Sequence, residues 1–85
     1  MRLNKWRAQM ADKVDSTANV AVTLARHIQW QWQVEGFAAD IPRTVQDVLT
    51  LAKAAISPMR FDYEADREAV THLCAVRLMA FYNVK

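Results

Sequence analysis

Apolar residues recur at steps of three or four along the first third of the chain: Leu3, Trp6, Met10, Val14, Thr17, Ala21, Leu24, Ile28 and Trp32. At about 100° per residue these positions stay within one stripe about 80° wide, with no slip of phase. The pattern predicts a first helix over residues 2–36, closed by Gly36, the only glycine in the chain, because glycine readily adopts the left-handed conformation that ends helices. Residues 28–34 also alternate, with Ile28, Trp30, Trp32 and Val34 set against Gln29, Gln31 and Gln33, which is the period of a half-buried strand. A strand starting there would have no need to keep the helical phase, and no second alternating segment offers it a partner. Asp15, Ser16 and Thr17 could cap a new helix, but the unbroken stripe argues against a break.

A second helix is expected over residues 42–57. Its stripe is Ile41, Val45, Val48, Leu49, Ala52, Ala55 and Ile56, opposite Arg43, Gln46, Thr50 and Lys53. Asp40 or Thr44 would cap it, Pro42 would sit in its first turn, and Pro58 would stop it at Ser57. A third helix is expected over residues 62–84, capped by Asp62, with Glu64 and Asp66 in the first turn where the helix dipole favours acids. Ala69, Val70, Leu73, Cys74, Val76, Ala80, Phe81 and Val84 read as its core stripe, yet Ala75, Leu78, Met79 and Tyr82 make the other side apolar as well. Three helices with short connections give an all-α, up-down-up three-helix bundle, a single domain over residues 1–85. The first helix is the longest, so Leu3, Trp6 and Met10 should overhang the other two. A second copy covering that overhang would make a homodimer, and otherwise it is an arm for a partner.

Composition supports this architecture. The chain is 53% apolar, with one Gly and two Pro in 85 residues, too few turn formers for a hairpin-rich fold. One cysteine makes no intramolecular disulfide and fits a reducing compartment. No run of about 18 apolar residues is present to span a membrane, and charges recurring from Arg2 to Lys13 break up any signal-peptide core. The expected location is therefore cytoplasmic. Candidate chemistry is sparse. His72 and Cys74 would point about 160° apart on one helix, His27 lies on another, and zinc needs three or four convergent ligands. The acids Asp62, Glu64, Asp66 and Glu68 read as first-turn and solvent-facing residues, and one glycine cannot build a phosphate-binding loop. No metal, cofactor or enzymatic activity is expected.

Two kinds of binding remain. The net charge is +2 and the sequence pI about 9.0, with Arg2, Lys5 and Arg7 gathered around Trp6 as candidate phosphate contacts. A nucleic-acid-binding regulator is thus the alternative reading, although a third helix opening on Asp62, Glu64 and Asp66 would be repelled by phosphate. The same basic tip has too few aliphatic residues to favour a membrane surface. The aromatic residues point more strongly to a protein partner. Trp32 falls on the core stripe, whereas Trp30, Val34 and Phe37 fall on the outer face. In an up-down-up bundle they would share a pole with Leu78, Met79 and Tyr82, forming a composite apolar patch of the kind that marks interfaces. Arg77 lies inside the expected core stripe, and Glu35 at the same pole would be its buried partner, unless its charged end reaches solvent. The reading is a small non-enzymatic protein-interaction module: an adaptor, a chaperone, or an inhibitor of the type carried by phages and mobile elements.

Overall fold

The computed structural model describes the backbone of residues 2–36 and 41–85, and the side chains of those residues from Gln9 onward. The chain is all-α. Helix α1 runs Arg2–Glu35, α2 Val45–Ile56 and α3 Glu64–Tyr82, and all three pack against one another. Residues 28–34 are helical. The first helix is much the longest. At about 1.5 Å per residue its 34 residues account for the molecule's 51 Å long dimension. Helix α1 ends at Gly36, which takes a φ of 80° and donates its N–H to the Gln33 carbonyl at 3.2 Å.

The centre of the bundle is narrow because α1 presents alanine to it. Ala18, Ala21 and Ala25 are fully buried, and Gln29 is almost so. This shifts the predicted stripe: its Ala21 is buried as expected, but Val14, Thr17, Leu24, Ile28 and Trp32 are not at the centre. Those residues are only partly buried and flank the alanine row. The buried arc is thus turned by about half the angle between adjacent residues. Backbones approach most closely across small side chains, so the alanines take the contact and the larger residues fill the sides.

Helix α2 contributes Val48, Leu51, Ala52, Ala55 and Ile56 to the core. Its start falls later than predicted. Thr44 is extended (φ −118°, ψ 161°), and its hydroxyl accepts the Asp47 N–H at 3.1 Å. The Asp47 carboxylate in turn accepts the N–H of Thr44, and that of Arg43, each at 3.2 Å. This reciprocal capping box fixes Val45 as the first helical residue, and leaves Pro42 outside the helix as a buried part of the connection. Those two backbone N–H groups, with the Thr44 hydroxyl, hold the Asp47 carboxyl below its ordinary range. Thr44→Ala should cost about 1 kcal/mol in urea unfolding. The carboxylate's contribution is present near neutral pH and disappears as pH falls through its lowered folded pKa. The stability gap between the native chain and Asp47→Asn should therefore close in acid.

The seven-residue turn between α2 and α3 is held by Arg67. Its guanidinium donates to the Met59 carbonyl at 3.1 Å and the Ile56 carbonyl at 3.5 Å, and lies 4.9 Å from the centre of the Phe61 ring. The Met59 carbonyl in the turn thus finds a donor, and the Ile56 carbonyl, which already accepts the Met59 N–H at 2.9 Å, gains a second one. Helix α3 begins two residues later than predicted. Tyr63, not Asp62, is the N-cap, and it makes no side-chain cap bond. Glu64 and Asp66 do occupy the first turn. At the other end Asn83 takes the left-handed conformation (φ 56°, ψ 42°), with Asn83 N–H to Ala80 O at 3.4 Å and Val84 N–H to Met79 O at 2.8 Å. This is the paired termination that seats Val84, only 8% exposed, back on the last turn.

The phase of α3 also differs from expectation. Val70, Cys74, Ala75 and Leu78 are buried, while Ala69, Val76, Ala80 and Phe81 are exposed. With apolar residues on both sides, periodicity allowed two choices of face. The observed choice aligns Val70, Cys74 and Leu78 at i, i+4 and places Arg67 on the inner side, where it reaches the end of α2.

Candidate functional site

Opposite the alanine row, α1 carries a second row of apolar and ring side chains. Val20, Trp30 and Val34 are 60%, 58% and 66% exposed, unusually open for side chains of this kind. At about 100° per residue they and His27 fall within an arc of about 80°, centred roughly opposite the core. The rings of His27 and Trp30 stack at 5.9 Å with planes 26° apart, so the indole is braced against its neighbour one turn earlier. Trp30 and Val34 lie where the sequence placed them. Val20 was not singled out, although its spacing of seven from His27, and His27's from Val34, carried the signal.

The predicted composite patch does not assemble. Leu78 is fully buried, and Met79 and Tyr82 are half-buried against the core. The last turn of α3 reaches Arg26, whose guanidinium lies 3.9 Å from the centre of the Phe81 ring. Phe37 lies outside the described residues. Tyr82, which meets Phe81 edge-on at 4.9 Å, has its hydroxyl pushed up by burial, with the Arg26 charge opposing that shift.

The expected pair of Glu35 with Arg77 is also replaced. Arg77 donates to Asn19 Oδ1 at 2.7 Å and to the Asp15 carbonyl at 3.1 Å, and forms an ion pair with the Asp15 carboxylate. Asp15 is twenty residues before Glu35, about 30 Å along the helix, and Glu35 is exposed. Arg77 sits at the edge of the α1–α3 contact, where it fixes the level at which the two helices meet.

A cleft of about 670 Å³ opens at the other end of the outward row. Met10, Val14, Thr17 and Val20 of α1 form one wall, and Met59, Phe61 and Tyr63 of the turn form the other. Lys13 and Arg60 bring cations to the lining, Asp62 and Asp66 carboxylates. Met10, predicted to belong to an overhanging arm, is half-buried here. The side chains of Leu3 and Trp6, with those of the proposed phosphate contacts Arg2, Lys5 and Arg7, lie outside the described residues. A shallower groove lined by Asn19, Val20, Thr23, Leu24 and His27 continues from the cleft toward Trp30, sharing Val20 with it.

Among the described residues no cluster of three or more His, Cys, Asp or Glu side chains could hold a metal ion. Among the same residues no helix is long and apolar enough to cross a membrane. Cys74 is fully buried and its thiol is pushed up to about 11 by desolvation, with Arg77 opposing weakly. A thiol of this kind is unreactive at neutral pH. Alkylation of Cys74 in the native protein should therefore be slow and should speed up with denaturant in step with unfolding. No protein-family model, curated protein or solved structure matches this chain.

Proposed function

We propose that this chain is a non-enzymatic protein-interaction module, an adaptor, chaperone or small inhibitor that binds a protein partner through the outward row of α1. The observation that carries this reading is the exposure of Trp30, Val34 and Val20 on one face of one helix. Such side chains are costly to leave in water, at roughly 25 cal/mol per Å², and aromatic residues set in an apolar surface are the usual anchors of protein interfaces. Charge adds support. Arg26, Arg67 and Arg77 are each held by a contact within the bundle, so they are not arrayed as a row that tracks phosphates.

Affinity capture with the native protein and a Trp30→Ser/Val34→Ser variant tests the reading. The variant should melt at nearly the native temperature and fail to retain the partner. Retention by the native protein should change little between about 50 and 200 mM salt. A loss of about 10³-fold over that range would instead indicate contact with nucleic-acid phosphates.

A further inference from the structure

We propose that the cleft between α1 and the turn at 59–63 is a self-pairing surface, covered by the same cleft of a second copy of this chain. The twofold axis runs along the mouth of the cleft, parallel to α1, and lays each copy's Tyr63 over the other's α1 wall. This is a second interface, apart from the outward row. Met10, Val14 and Thr17 lie about 140–160° round the helix from Trp30, so the pairing leaves Trp30 and Val34 free for a different protein.

Charge is the first observation that points to a second copy. Lys13 stands on the α1 wall, and Asp62 and Asp66 stand across from it, where Arg60 offsets only one of them. Among the described residues Lys13, Asp62 and Asp66 join no ion pair, whereas Glu64 is held by Arg67 at 3.8 Å and Asp15 by Arg77. The cleft thus has a basic α1 wall and a net acidic turn wall, and neither is compensated. An axis along the mouth keeps each residue at its own level and exchanges the walls, so that α1 of each copy lies over the turn of the other. Lys13 then meets acids, and the contact is made twice. An axis across the mouth would set α1 against α1 and turn against turn, bringing like charges together. The charge pattern is therefore complementary to itself in one arrangement.

Apolar surface at the mouth is the second observation. Tyr63 is 69% exposed, the most open of the large apolar and aromatic side chains among the described residues, and Val20 on the facing wall is 60% exposed. Tyr63 is the N-cap residue of α3 but makes no side-chain cap bond there. Behind the mouth, Met10, Val14, Met59 and Phe61 are half-buried, and Val70 closes the floor. Exchanging the walls covers Tyr63 and Val20 in both copies at once. A cleft of about 670 Å³ has room for the phenol ring, which is the setting of an aromatic anchor.

Sedimentation equilibrium of charge-reversed variants, one of them dye-labelled, tests the pairing. The native chain should sediment as a dimer at tens of micromolar, and Tyr63→Ser should weaken the dimer by about 30-fold. Lys13→Glu and Asp62→Lys should each weaken it by about 10-fold or more, because like charges then face one another. All three positions are exposed, so each variant should melt at nearly the native temperature. An equimolar mixture of Lys13→Glu and Asp62→Lys should recover a dimer with one chain of each, since both pairs of walls are again opposite in charge. Charge variants that pair as tightly as the native chain, or a mixture no tighter than either variant alone, would overturn the proposal. A monomeric native chain that still retains a different protein through Trp30 would overturn self-pairing and leave the outward row standing. A dimer that retains no other protein would do the reverse.

Discussion

Leu78→Ala is expected to lower the unfolding free energy by about 2–5 kcal/mol, because Leu78 is fully buried at the junction of the three helices. The loss combines the transfer free energy of the removed methyl groups with the cavity they leave. Relaxation should be limited, since the core cluster that holds Leu78 is rich in alanine (Ala18, Ala21, Ala25, Ala52, Ala55 and Ala75), which cannot extend to fill a gap. Urea unfolding measures the loss directly. The outcome also separates two views of α3. Were Leu78 part of an exposed binding patch, the same change would cost less than about 0.5 kcal/mol and would act on binding instead.

Trp32→Ala should cost about 3 kcal/mol, the lower end of the range for losing a large aromatic from a core. Trp32 is only half-buried, yet it packs against the core cluster beside Ile28. Two positions away, Trp30→Ala should change stability by less than about 0.5 kcal/mol, since that indole is 58% exposed and touches chiefly His27. Two tryptophans two residues apart thus differ because a helix turns about 200° between them. Thermal melts of the two variants under identical conditions provide the comparison.

The helices were legible because their signals are local. The stripe of α1 and its closing Gly36 set the longest element, and the acids at 64 and 66 marked the first turn of α3. Exact ends were less so. Thr44 and Pro42 both announce a helix start, and the hydrogen bonds to Asp47 decide between them. Helical phase was harder still. In α1 the larger apolar residues outline a stripe, but the close approach of neighbouring helices is made over alanines, which carry little hydropathic signal. In α3 apolar residues on both sides left the inner face open, so Leu78 was assigned outward and Phe81 inward, the reverse of the structure. The Asp15–Arg77 pair depends on how far α3 slides along α1, a quantity that no local pattern encodes. Trp30 and Val34 could be placed outside because the phase of α1 was nearly right. The cleft beside Met10 could not, since half of its wall comes from the turn at residues 59–63.

The claim that the outward row of α1 is a binding face is tested most directly by measuring association and melting together for Trp30→Ala. The predicted result is an unchanged melting temperature with a loss of about 2 kcal/mol or more in association free energy, as for an aromatic anchor. A variant that melts as low as Trp32→Ala, or that associates as well as the native chain, would contradict it.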